Sequence, residues 1–155
     1  MKRQIVGRVV VSLLATSVLC LIPAGVAAAG GGKSAIAKIC QKGGWESLLT
    51  ASGAGFTSEG ACVSSGAQGG GALGVSASVA NGRVTFRVSG FGLLPGSPWG
   101  FEVAPGESLS LSVPADGIVS LASGAPCGVG SFASAGATTS TGAVITTPIV
   151  NSPCR

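Results

Sequence analysis

With 155 residues, only 9% of them charged, and with no histidine or tyrosine, the chain is sized for about one domain and lacks the side chains on which much hydrolytic and metal chemistry relies. Its formal charge of +4 owes three basic residues, Lys2, Arg3 and Arg8, to the N-terminus. From residue 30 onward six basic residues (Lys33, Lys38, Lys42, Arg83, Arg87 and Arg155) meet five acids. That near-neutral balance is too small for the electrostatic footprint of a nucleic-acid or anionic-membrane surface.

Residues 1–29 carry the pattern of a secretory signal peptide. Lys2, Arg3 and Arg8 form its basic region and Val9 to Ile22 its apolar one; Pro23 and Gly25 then break the helix before Ala27-Ala28-Ala29. Cleavage is expected after Ala29 or one residue earlier. Val9 to Ala29 is just long enough to span a bilayer uncleaved, but the Pro-Gly break and the small residues favour removal. Cys20 follows the bulky Leu19, where lipid attachment requires a small residue. The mature protein is expected outside the cell, secreted or held on the cell wall, with no membrane association.

Four cysteines then remain: Cys40, Cys62, Cys127 and Cys154. An even number in a secreted chain implies disulfides, and four admit three connectivities. Cys40–Cys62 and Cys127–Cys154 are expected, because each closes a local loop worth on the order of 3 kcal/mol in the chain-entropy picture. Zinc is the weaker reading, since no Cys-x-x-Cys and no histidine is present. No cofactor is expected.

Residues 30–63 read as a small N-terminal unit. Ala35 to Lys42 suits two helical turns with Ile36, Ile39 and Cys40 on one side, ended by Gly43-Gly44. Trp45, Leu48 and Leu49 suit a further turn, and Phe56 is another apolar anchor. Cys40-Gln-Lys-Gly-Gly-Trp45, then Phe56, then Gly60-Ala-Cys-Val-Ser64 resembles a Cys-Lys-x-Gly-Gly-Trp…Phe…Gly-x-Cys-Val motif of small secreted proteins from actinobacterial-type Gram-positive bacteria. The resemblance implies a disulfide-clipped tryptophan motif and no particular activity. Trp45 either fills that small core or offers a platform to a ligand, and core filling is the favoured reading. Residues 64–72, Ser-Ser-Gly-Ala-Gln-Gly-Gly-Gly-Ala, have the composition of a flexible linker.

Residues 73–155 read as an all-β domain. Val75 to Ala80 and Arg83 to Ser89 alternate apolar and polar residues around Asn81-Gly82, the strongest short-range signal for a hairpin with a type I′ turn. A two-residue loop sets Val79 against Val84, Ala77 against Phe86 and Val75 against Val88, all on one face. Ser76, Ser78, Arg83, Thr85 and Arg87 share the other. Trp99, Phe101 and Val103 alternate next, followed by Leu109, Leu111 and Val113, an Asp116-Gly117 turn, and Ile118 to Ala122. Ala143 to Val150 is a terminal strand interrupted by Pro148, which belongs at an edge or a bulge. Six or seven short strands at this spacing predict an antiparallel two-sheet sandwich.

Val88-Ser-Gly-Phe-Gly-Leu-Leu-Pro-Gly-Ser97 resembles the Ser-Gly-x-Gly-Leu-x-Pro-Gly-Ser turn of bacterial immunoglobulin-like modules, and Val113-Pro-Ala-Asp-Gly117 their later Ala-Asp-Gly hairpin. The physics of the turn agrees, since Pro95 presets φ for the second position of a type II turn and Gly96 takes the left-handed third. The resemblance implies an immunoglobulin-like sandwich with adhesive or structural roles outside the cell.

Candidate chemistry is sparse. Ala27-x-x-x-x-Gly32-Lys33-Ser34 matches a permissive phosphate-loop pattern but straddles the cleavage site. Without histidine no Ser-His-Asp or Cys-His arrangement exists, and nothing in the pattern positions Lys33, Lys38 or Lys42 beside a serine. Glu102 and Glu107 flank the Pro105-Gly106 turn and are the best candidates for the paired acids that glycoside hydrolysis needs. Two exposed hairpin carboxylates are more simply solvating groups, as Arg83 and Arg87 are on the wet face of the first hairpin. Trp99 is the other possible ligand contact: the preceding Gly/Pro-rich loop would show it at a tip, whereas alternation with Phe101 and Val103 puts it in the core. The expected function is therefore non-enzymatic, an interaction or structural module whose partner is an extracellular protein or cell-wall component. The alternative is a small-ligand carrier or secreted enzyme inhibitor on the same stapled scaffold. The intact mass of the extracellular form should correspond to a chain starting at Gly30 or Ala29; a species retaining the first 28 residues and partitioning with membranes would replace the signal peptide by an anchor.

Overall fold

Asn81 and Gly82 have φ of 51° and 69°, the left-handed pair required by a type I′ turn. Two strands leave this turn in the expected register: Val79 faces Val84, Ala77 faces Phe86 and Val75 faces Val88. The computed structural model describes residues 32–104, 106–127 and 130–154. The expected signal segment, with Cys20 and most of the phosphate-loop pattern, lies outside them. In chain order the elements are α1 (Gly32–Cys40), a 3₁₀ turn (Gly44–Ser47), β1 (Leu48–Thr50), α2 (Glu59–Ala67), β2 (Ala72–Ala80), β3 (Arg83–Phe91), β4 (Pro98–Ala104), β5 (Glu107–Ser112), β6 (Val119–Pro126), β7 (Phe132–Thr138), β8 (Val144–Thr146) and β9 (Val150–Asn151).

The strands form two antiparallel sheets. One has the order β1-β2-β3-β6 and the other β5-β4-β7-β8, with β9 pairing β7 beyond β8. Strands β2 to β8 thus follow the crossover connections of an immunoglobulin-like sandwich. The layers close on a core to which the first sheet contributes Leu73, Val75, Val84, Phe86, Val88 and Val119. The second contributes Trp99, Phe101, Val103, Ala133, Ala135, Ala137 and Ile145. The turn after β3 is also as expected: Gly96 has φ of 76°, and the Ser97 amide donates to the Leu94 carbonyl at 3.1 Å. Both expected disulfides are present, Cys40–Cys62 and Cys127–Cys154. The second joins the end of β6 in one sheet to the segment after β9 in the other, so it ties the two layers together.

Three features depart from the sequence reading. The strand β7, which crosses the middle of the second sheet, carries Phe-Ala-Ser-Ala-Gly-Ala-Thr and has almost no local strand signal. Its inward residues are three alanines, and small side chains there leave room for Phe86 and Phe101. Second, residues 64–72 are not a flexible linker. Ser58 caps α2 by accepting a hydrogen bond from the Ala61 amide at 3.1 Å, the helix runs to Ala67, and β2 begins at Ala72. Only residues 68–71 connect them. Third, Leu48 and Leu49 leave the 3₁₀ turn as a strand, pairing with Gly74 and Leu73 of β2.

The second and third departures share a cause, because the N-terminal unit packs on the outer face of the first sheet. Ala72 and Phe91 sit opposite each other at the end of β2 and β3 and point away from the sandwich core. Ile36, Cys40, Leu48 and Cys62 bury them in a second apolar cluster, flanked by Trp45, Phe56 and Val63. The Phe56 and Phe91 rings lie 6.4 Å apart. Covered on both faces, the start of β2 loses its alternation and is buried over Ala72-Leu73-Gly74-Val75. Gly74 permits the close approach: a Cβ there would lie 2.1 Å from the Ser47 carbonyl oxygen.

Thermal melts separate these contacts. Phe86→Ala should destabilise by about 3–5 kcal/mol, as expected for a fully buried aromatic side chain. Arg87→Ala, exposed on the opposite face of the same strand, should leave Tm unchanged. Gly74→Ala should release the N-terminal unit from the sheet while the hairpin persists, read as loss of amide protection in β1 but not in β3. Equal melting of Phe86→Ala and the parent would contradict the sandwich core.

Candidate functional site

The two sheets do not end together. On one flank the first sheet stops at β6, while the second continues through β4 to β5. Register carries the inward direction of Trp99, Phe101 and Val103 to Leu111, Leu109 and Glu107, their respective partners on β5. Trp99 and Phe101 are covered by the first sheet, at 5% and 1% exposure, whereas Leu111 and Leu109 keep 43% and 38%. All six residues of β5 are exposed. The expected alternation of Leu109 and Leu111 is present, but β6 does not reach over them.

The result is a groove of about 330 Å³ along β6, lined by Trp99 and Leu111 on one side and Ile118, Val119 and Leu121 on the other, with Ser112, Pro114 and Ser120 completing it. None of these side chains is charged. Ile118 also touches the apolar cluster of the N-terminal unit, which therefore stands at one end of the groove. Leu109 and Glu107 continue the inward face of β5 beyond the groove, where Ser123 Oγ donates a 2.6 Å hydrogen bond to Glu107 Oε2. This bond bridges the two sheet edges, and Glu107 is the one charged residue on the inward face of β5.

The sequence candidates are distributed as follows. Trp99 is a core residue of β4, 5% exposed, and not the tip of a loop; what remains accessible of it lines the groove. Trp45 is half-buried against the Cys40–Cys62 cluster and lies outside the groove. Glu102 and Glu107 do not face each other: Glu102 is exposed on the outer face of β4, whereas Glu107 pairs with Val103 and follows its inward direction. Strand pairing therefore separates the carboxylates that sequence proximity brought together. Arg83 and Arg87 are exposed on the outer face of the first sheet, and the Arg83 guanidinium donates to the Gly124 carbonyl at 3.3 Å. Among the described residues no cluster of metal-ligating side chains occurs. No helix among them is long and apolar enough to cross a membrane.

Leu111, Ile118, Val119 and Leu121 form the part of the site that sequence reasoning missed. Their alternation marks strands, but the feature that matters is the missing cover over β5, which belongs to sheet order. A second sheet outcome is legible at the other edge, where Pro148 interrupts the terminal strand as expected. The buried Thr147 bridges the interruption: its amide donates to the Ala135 carbonyl and its hydroxyl accepts from the Ala135 amide, each at 2.9 Å.

Because Leu111 gains little from burial, Leu111→Glu should cost less than about 1 kcal/mol of stability, and it should shift the fluorescence of the neighbouring Trp99. Collapse of that variant in a thermal melt would mean that β5 is buried in solution. No family model matches the chain, and neither a curated protein nor a solved structure is significantly similar to it, so the groove is read on its own geometry.

Proposed function

We propose that the protein is a non-enzymatic extracellular module that holds an extracellular protein or cell-wall component in the groove between β5 and β6. One observation carries this reading: two inward-facing leucines, Leu109 and Leu111, remain solvent-exposed beside a buried tryptophan. Sandwiches bury their inward faces, and a contiguous apolar strip left open at a sheet edge marks an interaction site. Two disulfides support maturation in an oxidising setting, in line with the N-terminal signal pattern. The likeness of the Gly92–Ser97 turn to bacterial immunoglobulin-like modules points the same way.

The carrier and inhibitor alternatives fit less well. A volume of about 330 Å³ lies at the lower end of the range for small-molecule sites, about 300–1,000 Å³, and this one is open along its length. β7, β8 and β9 divide the Cys127–Cys154 segment, so among the described residues its connections are short and none is a large protruding loop of the inhibitory kind.

Crosslinking with the mature protein on culture-fluid and wall fractions tests the module. Capture of a defined component by the parent, lost in folded Leu111→Glu and retained in Arg87→Ala, is the expected result. Equal capture by Leu111→Glu would move the site away from the groove.

A further inference from the structure

We infer that the occupant of the groove is an extended strand of another protein that lies along the open edge of β6 and continues over the exposed inward face of β5, with alternate apolar side chains on Leu111 and Leu109 and a basic side chain at Glu107. This rests on the reading of the groove as an interaction site and specifies the partner's chemistry. Among the described residues strand β6 is paired with β3 alone, so its other edge is open to an incoming backbone. A strand there would extend the first sheet by the width by which it falls short of the second. Its inward side chains, two residues apart, would meet Leu111 and Leu109 and then, one step further along, Glu107.

The charge of the lining selects the side chains. The groove walls are uncharged and Leu109 beyond them is apolar and exposed, which suits aliphatic residues at two successive inward positions. Glu107 follows at the same spacing, and its hydrogen-bond partner is a neutral hydroxyl, that of Ser123. A lysine or arginine at the third inward position would place a cation on that carboxylate, at the far end of β5's inward face. The strand therefore reads apolar-x-apolar-x-basic, or the reverse according to its direction.

A second copy of this chain is a poorer occupant. Edge-to-edge pairing of β5 with its symmetry mate would lengthen the second sheet but leave Leu109 and Leu111 facing solvent. A two-fold axis parallel to the strands could set each β5 over the leucines of the other copy. It would then hold the two Glu107 carboxylates at one level, facing each other without a counter-charge.

Titration of the mature protein with the peptide Ac-Thr-Val-Thr-Val-Thr-Lys-NH2, followed by tryptophan fluorescence and calorimetry, tests the inference. Binding is expected, at least tenfold weaker for the same peptide ending in Glu and for the Glu107→Gln protein, and abolished in Leu111→Glu. Glu107→Lys should reverse the preference, binding the Glu-ended peptide more tightly. Because β5 is exposed throughout, these variants should fold, and their melts verify it. Equal affinity for the two peptides, binding of neither, or a preference unmoved by Glu107→Lys overturns the inference. So does a dimer in sedimentation that Leu111→Glu dissolves, which gives the groove to a second copy. If the peptides fail while Leu111→Glu still loses the crosslinked component, the module stands and only the basic-strand chemistry falls. If that component is also unaffected, both fall.

Discussion

The structure depends on the register set by Asn81-Gly82. Both residues take left-handed φ, which β-branched and bulky side chains adopt only with strain, so the loop between β2 and β3 is held to two residues. A slip of one position would turn Phe86 outward and carry Arg87 into the apolar layer. That penalty makes the hairpin a rigid reference on which neighbours add. β6 pairs with β3 over eight residues from Arg83 to Gly90, and β1 adds to the other side of β2. The inward face thus assembled, Leu73, Val75, Val84, Phe86 and Val88, is the surface against which the second sheet packs.

The second sheet is matched to that surface by size. β4 brings Trp99, Phe101 and Val103, while β7 brings three alanines to the same layer. Large and small side chains therefore alternate across the sheet, and interiors at crystal-like density require such a fit. The unequal widths of the sheets have the opposite effect at the flank, where β5 carries an inward face with nothing above it. The Glu107–Ser123 hydrogen bond spans the two edges further along that flank, and the N-terminal unit stands beside the groove through Ile118. The opening there is a product of strand order.

The N-terminal unit illustrates how a weak local structure becomes an integral part of a fold. α1 and α2 have nine residues each, shorter than isolated helices need for stability in water. The Cys40–Cys62 bond joins them, and Ala72 and Phe91 on the outer face of the first sheet supply the apolar surface that they cannot provide for themselves. Gly74 lets the backbone at Ser47 approach, and β1 then continues the sheet. Three modest terms, a staple, a small apolar cluster and a three-residue strand, replace a core that so short a segment could not build alone.

What the sequence by itself determined is what local chemistry encodes. Asn81-Gly82 specified a turn and hence a register. Pro95-Gly96 specified a second turn. Pro148 specified a break, and the spacing of four cysteines favoured two local disulfides over a crossed pair. The alternation of Val84, Phe86 and Val88 identified an inward face because a strand has a period of two wherever one side is wet. Only the tertiary structure decided the rest. β7 is a strand because its neighbours β4 and β8 offer it backbone partners, not because alanine and glycine favour extension. α2 is a helix because a cap and a disulfide hold residues whose composition reads as linker. Leu109 and Leu111 have the same alternation as Phe101 and Trp99, yet one pair is core and the other is exposed. Exposure of an inward face depends on which strands of the opposite sheet lie above it, and that is a property of sheet order that no local pattern contains.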